Sequence, residues 1–159
     1  MSLHNAALRR FEIRVSAIIP IGGRLLVNEA QDARLGVWHA CFGGRLEWGE
    51  RAADCLAREL HEELGLAADI GRLVYVHEYR YQDAAEAVHE LGLFFLVTVS
   101  PQSTFTAREP RLHPVVADLD TLSRTLYPEA LREHLAGDVR GGFPPLVRHL
   151  VSGEFSAGA

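Results

Sequence analysis

Cysteine is scarce in this chain. Only Cys41 and Cys55 occur, and no C-x-x-C spacing is present. The pair therefore reads as two small buried apolar residues of a protein in a reducing compartment. No run of about 18 apolar residues exists, so no membrane-spanning helix is expected. Met1 to Arg10 lacks the apolar core of a secretory signal, and a cytoplasmic location is the expectation. The eight histidines form no H-E-x-x-H spacing, which removes the common zinc-hydrolase pattern. No Ser/His/Asp or Cys/His arrangement has supporting context. Basic charge is also in deficit. The net charge of −5 argues against a nucleic-acid polymer as partner, while a small anionic substrate can still be held by a local site.

What remains is an ordinary globular composition over 159 residues. That length fits one domain, taken as residues 1–159 with its core at about 11–151, and it can bury a core without staples. No repeat, low-complexity tract or linker interrupts it. Phe11 to Ile21 is a mostly apolar run that predicts a buried strand. Gly22-Gly23 supplies a tight turn, and Arg24 to Asn28 returns as a second strand. Glu29 to Gly36 is polar and reads as a loop. Val37 to Phe42 predicts a short strand broken by Gly43-Gly44. A polar loop, Arg45 to Glu50, then leads into a helix over Arg51 to Leu64. Ala53, Leu56, Leu60 and Leu64 would form its buried stripe, and Gly65 its C-cap. Leu73 to Tyr81 and Glu90 to Val99 predict strands, with a turn or loop at Asp83 to Ala87. Pro110 to Asp120 reads as weakly extended. Pro128 to Leu135 predicts a helix, and a short helix is expected near Leu150, before a loose tail after Ser152. Strands on both sides of one central helix predict an α/β sandwich on a mixed sheet.

The chemistry concentrates in one segment. Glu59, Glu62 and Glu63 occupy relative positions 0, 3 and 4 of the predicted helix, which places three carboxylates on one face. Like charges that close repel, and only Arg58 is near enough to offset them. A divalent cation would relieve the repulsion, and carboxylate oxygens are the ligands that hard magnesium or manganese ions prefer. The alternative is a merely solvated acidic face, with Arg58 and Glu62 as an ordinary i,i+4 pair. Gly43-Gly44 would let the backbone pass close to the carboxylates, and Glu50 and Arg58 have opposite charge.

The spacing of the whole segment favours the functional reading. Gly44, Glu50, Arg58, Glu59, Leu60, Glu62, Glu63, Gly65 and Leu66 fill every specified position of G-x5-E-x7-R-E-U-x-E-E-x-G-U, where U is bulky aliphatic. A chance match at a given start is on the order of one in a billion. By these residues the chain resembles the Nudix hydrolase family, the motif covering Gly44 to Leu66. The resemblance implies an α/β/α sandwich on a mixed β-sheet and a diphosphate-cleaving enzyme using Mg2+ or Mn2+. It implies Glu59, Glu62 and Glu63 as metal-binding carboxylates, with the Gly43 carbonyl as a further ligand and Glu59 assisting proton transfer. It implies Glu50 and Arg58 as a loop-stabilising ion pair, and Gly44 and Gly65 as backbone-geometry residues. Relatives often add an acid from outside the motif as general base; Glu109 is the first candidate here, followed by Glu90, Glu86 and Asp83.

The implied substrate is a small nucleotide-like diphosphate. A nucleotide sugar, ADP-ribose, a dinucleoside polyphosphate and a damaged nucleoside triphosphate all remain open. No proline occurs between Ala67 and Ser100, which disfavours the ADP-ribose subclass. Trp38, Arg45 and Trp48 are candidate substrate contacts, although packing is the commoner role of a tryptophan. Tyr79 and Tyr81 alternate on one strand and present a common face. Arg24 and Arg80 are unplaced phosphate candidates, and His61 reads as surface. A homodimer is expected as one arrangement of such enzymes. A catalytically silent binding domain on this fold usually loses carboxylates that are all kept here. Isomerisation of an isoprenoid diphosphate would need a cysteine and a glutamate placed outside the usual pattern, and Cys41 lies just before Gly43-Gly44, but the complete hydrolytic motif argues against it.

Overall fold

The computed structural model describes residues 8–83 and 86–153. The expected loose tail lies largely outside the described residues, as do Met1 to Ala7 and the centre of the Asp83 to Ala87 turn. Nine strands and their helices follow in chain order: β1 Leu8–Ile21, β2 Arg24–Asp32, β3 Gly36–Ala40, β4 Gly43–Arg45, α1 Ala52–Leu64, β5 Asp69–Asp83, β6 Glu86–Thr98, β7 Pro114–Ala117, α2 Leu119–Thr125, β8 Leu126–Tyr127, a 3-10 turn Glu129–Leu131, α3 Arg132–Gly141 and β9 Arg148–Ser152. The strands form one mixed sheet in the order β8-β3-β2-β1-β6-β5-β9, with β4 on β1 and β7 on β2.

β1 organises the sheet. Its far end turns through Gly22-Gly23 into β2, antiparallel from Ile19 opposite Leu26. Its length runs parallel to β6 from Leu8 opposite Glu86 to Ile18 opposite Leu96. Its middle also pairs with β4, Ser16 opposite Gly43 and Arg14 opposite Arg45. Because side chains alternate along a strand, β1 feeds two cores. Val15, Ala17 and Ile19 pack under α1 with Cys55, Leu56, Leu60 and Leu64. Ile18 faces the other way, into Leu25, Val27, Val74, Phe94, Leu119, Leu122 and Leu135 beneath α2 and α3. Helices thus cover both faces, as the sandwich reading requires. Each fully buried leucine contributes about 2 kcal/mol.

The glycine pair does not break the sheet. Gly43 and Gly44 are the body of β4, and Ala17 donates to the Phe42 carbonyl just before them at 2.9 Å. A Cβ on Gly43 would run into the Val15 carbonyl oxygen, and its φ of +144° already favours glycine. The polar segment after Asn28 continues as strand to Asp32, because β3 pairs with it from Ala40 back to Gly36. Ala53 is exposed, and Cys55 takes its place in the buried stripe of α1. Pro128 to Leu135 divides into the 3-10 turn and α3. The short helix expected near Leu150 is strand β9, parallel to β5 with Leu150 opposite His77. Its alternating burial is the two-residue period of a strand rather than a helical one. α2 was not foreseen, because Leu119 and Leu122 supply a stripe too short to register as a period.

Candidate active site

α1 carries the acidic cluster on a rigid support. Leu56, Leu60 and Leu64 anchor it, and Gly65 ends it in the left-handed region, its N–H returning to the His61 carbonyl. Arg108 closes the same end. Its backbone N–H donates to the Glu63 carbonyl at 2.8 Å and its guanidinium to the His61 carbonyl at 3.3 Å. A cation there complements the helix dipole. Nothing in the sequence marked Arg108, since it lies outside the motif and reaches the helix only through the fold.

The three carboxylates differ in environment. Glu62 is exposed. Glu59 is largely covered, and a Cβ on Gly44 would occupy the place of its carboxyl group. Glu63 is buried and accepts from the Gly43 N–H at 3.3 Å. Burial pushes the Glu63 carboxyl up to about 7, and the neighbouring charges of Glu59 and Glu109 push the same way, while the Gly43 N–H and Arg111 oppose them. Arg58 binds the cluster together. It grips both oxygens of Glu50 at 2.9 and 3.2 Å, and its third nitrogen bridges Glu59 at 2.9 Å and Glu62 at 3.2 Å. That grip holds Glu50 well below the ordinary carboxylate range, at about 2.

Among the described residues, no three His, Cys, Asp or Glu side chains converge as a ready metal-ligand set. Each carboxylate is engaged by a donor of the protein: Glu59 and Glu62 by Arg58, Glu63 by Gly43. The donor chemistry nevertheless fits a hard divalent cation. All three side chains present oxygen, they sit on one helical face, and Gly44 leaves the space that Glu59 occupies.

Glu109 lies in the loop before β7, ion-paired to Arg111 at 2.7 Å, and both act electrostatically on Glu63. The fold therefore brings Glu109 to the cluster. It places Asp83 and Glu86 elsewhere, on Arg10 near the outer end of β1. Glu90 lies on the opposite face of the sheet, in a cavity of about 360 Å³ with Arg14, Ser16, Trp38, Cys41 and Tyr79 among its walls. A wider cavity of about 680 Å³ continues from it past Tyr79, Tyr81 and Tyr127 to Arg34 and Arg80. The larger space is remote from α1. The smaller one is lined by Ser16, whose strand position lies opposite Gly43, but by no residue of α1 or β4. Trp38 is thus a cleft residue. Arg45 pairs with Glu12 at 3.0 Å, and Trp48 is fully exposed and lines neither cavity. Both cysteines are free; Cys55 is buried, and Cys41 is only partly covered and borders the cleft.

A helix-borne acidic cluster lies against a glycine strand, on a mixed sheet between helices, and comparison with known proteins assigns this arrangement to a class of hydrolases. The model of the NUDIX domain matches residues 10–136, and the chain belongs to the Nudix hydrolase family. It is 39% identical over 66 residues to the CTP pyrophosphohydrolase of Escherichia coli (strain K12), a match covering 40% of this chain and 48% of that protein. The aligned part thus spans about half the length of that relative. It is 26% identical over 136 residues to an isopentenyl-diphosphate Delta-isomerase of Cereibacter sphaeroides, covering 76% of this chain and 73% of the other. Among solved structures, an ADP-ribose pyrophosphatase from Streptococcus suis superposes with a TM-score of 0.60 at 18% identity, over 89% of this chain and 98% of that one. A MutT Nudix hydrolase from Burkholderia pseudomallei gives 0.57 at 25% identity, over 70% and 85%. Among the described residues, no helix is long and apolar enough to cross a membrane.

Proposed function

We propose that this protein hydrolyses a diphosphate linkage in a nucleoside diphosphate joined to another moiety, by attack of water on phosphorus, with Mg2+ or Mn2+. The observation that carries this reading is the placement of Glu59, Glu62 and Glu63 on one face of α1, with Glu59 against Gly44, Glu63 against Gly43 and Glu62 joined to Glu59 through Arg58. These carboxylates and the Gly43 carbonyl would hold the cation. When bound, such an ion neutralises phosphate charge and lowers the pKa of a coordinated water. The protein's own part is positioning and proton handling. Gly44 admits Glu59, and Arg58 fixes the loop through Glu50 while steadying Glu59 and Glu62. Glu109 takes the proton from the attacking water, with Arg111 setting its orientation. The cleft behind Ser16 receives the organic part of the substrate. The named activities of the CTP pyrophosphohydrolase and ADP-ribose pyrophosphatase relatives fit this substrate class, although the missing proline between Ala67 and Ser100 still disfavours ADP-ribose.

One observation favours a second reading, isomerisation of an isoprenoid diphosphate: Cys41 and Glu90 share a cavity, and an isomerase is among the relatives. Against it, burial pushes the Cys41 thiol up to about 12, a poor match for proton transfer near neutral pH. The complete set of motif carboxylates also points to hydrolysis. The test is a screen of nucleotide diphosphate compounds, with isopentenyl diphosphate included, comparing wild type and Glu62→Gln with magnesium. Hydrolysis should be metal-dependent and fall by at least ~10²-fold in the variant with folding retained. Equal turnover in both proteins removes the metal role of Glu62.

A further inference from the structure

The cleft on the far side of β1 has a polar edge that the acidic corner does not use. Its walls are aromatic. Tyr79 and Tyr81 stack with centroids 4.9 Å apart, and His77 continues the ladder at 5.3 Å from Tyr79. Trp38 meets Tyr127 edge-on at 5.9 Å, and the Arg132 guanidinium lies 4.8 Å from the Tyr127 ring centre. Such walls suit a flat ring, because stacking depends on a π-face rather than on a particular pattern of donors and acceptors. The cavity of about 360 Å³ falls within the size range of small-ligand sites.

Discrimination must come from the few polar groups that line this space, and Glu90 is central among them. It stands on β6 opposite Glu12 of β1 and Tyr79 of β5. Glu12 is buried and ion-paired to Arg10 at 3.2 Å and Arg45 at 3.0 Å. The strand register sets the Glu90 and Glu12 side chains beside each other on one face of the sheet. Burial and the Glu12 charge both raise Glu90 above the usual carboxylate range, with Arg14 opposing. In the cavity Glu90 offers carboxyl oxygens as acceptors, and Arg14 offers donors beside it.

We infer that Glu90 and Arg14 read the hydrogen-bonding edge of a nitrogen heterocycle stacked in the Trp38, Tyr79 and Tyr127 cleft, and that Glu90 sets which nucleobase the enzyme accepts. The pairing suits an edge that presents an N–H beside a ring nitrogen or carbonyl acceptor. This inference rests on the hydrolase reading for its substrate class, but binding can test it without turnover. Nucleoside monophosphates carrying each of the common bases are titrated into wild type, Glu90→Gln and Glu90→Leu by calorimetry, and steady-state rates are measured on the matching diphosphate compounds. Wild type should prefer one base. Glu90→Leu should weaken that ligand by ~10–100-fold and flatten the preference, because an N–H of the base loses its partner. Glu90→Gln should recover part of both. In turnover the loss should appear mainly in KM. Equal binding of the bases by wild type, an unchanged preference in Glu90→Leu, or a loss confined to kcat would overturn the inference. Loss of turnover in Glu62→Gln with base preference intact would leave it standing, and base-selective binding without any hydrolysis by wild type would sink the hydrolase reading alone.

Discussion

The face of the sheet beneath α1 and the face opposite it each bury a titratable side chain, with opposite consequences. Under α1, Glu63 is an acid removed from water beside two other acids, pushed up to about 7. Across the sheet, His77 is fully buried, its Nε2 2.6 Å from the Ser152 hydroxyl and its Nδ1 without a partner, and burial lowers it to about 4. In each case burial favours the uncharged form. At Glu63 nearby carboxylates add to that tendency, which the proposed cation would relieve. At His77 the uncharged ring simply stacks on Tyr79. On the first face carboxylates crowd together; on the second, aromatic rings do.

The sharpest way to break this division is to fill the space beside Glu59. In Gly44→Ala the new Cβ collides with the Glu59 carboxyl group. Displacing a reacting group by about 1 Å can cost ~10²-fold, so turnover should fall at least that far. Binding of nucleoside monophosphate in the opposite cleft should be preserved. Measurement of kcat alongside calorimetric binding decides the matter; matching losses in both would show that the two faces are not independent.

A smaller effect is expected from Arg58→Lys. One ammonium cannot hold both oxygens of Glu50 and also reach Glu59 and Glu62, as the guanidinium does. The magnesium concentration for half-maximal rate should rise ~10-fold, in the range found when groups supporting metal ligands are altered. A normal magnesium titration in the variant would restrict Arg58 to holding the loop.

The same contrast explains what could be read from the sequence. Glu50, Arg58, Glu59, Glu62 and Glu63 lie on one helix and its preceding loop, so their juxtaposition follows from local periodicity. The strands from Phe11 to Asn28 and from Glu90 to Val99 were legible because each buries a continuous apolar run. The cleft was not legible. Arg14, Trp38, Glu90 and Tyr127 come from β1, β3, β6 and β8, and only strand order brings them together. Glu90 therefore figured only as an alternative base, and Tyr127 had no signal at all. Arg108 and Arg111 escaped for the same reason: they meet α1 only after the loop before β7 folds back. β9 reads as helical because Leu146, Val147 and Leu150 fall at helical spacing, while the positions the strand covers, Arg148, Leu150 and Ser152, are not an apolar alternation; only its pairing with β5 reveals it.

The smallest effects lie in the pH dependence of stability, and they separate the faces most cleanly. The folded protein retains the Glu63 proton up to about pH 7, whereas an unfolded carboxyl releases it near 4.5. Between those values the folded state binds more protons, so this group's contribution to stability falls as pH rises and stays low above 7. His77 works over nearly the same window with the opposite sign. An unfolded histidine takes up a proton below about 6.5, the folded one only near 4, so stability is lost as pH falls through that window. Each contribution is on the order of 1–3 kcal/mol. The two windows overlap with opposite slopes, so denaturant midpoints of wild type measured from pH 4 to 8 without divalent metal should stay nearly level. Glu63→Gln should leave a midpoint that rises with pH between about 4 and 6.5, and His77→Gln one that falls with pH between about 4.5 and 7. Magnesium at pH 8 should raise the midpoint of wild type and of His77→Gln, but that of Glu63→Gln much less. Parallel pH curves for all three proteins would mean that neither buried group governs the titration, and an equal response to magnesium would detach Glu63 from the cation.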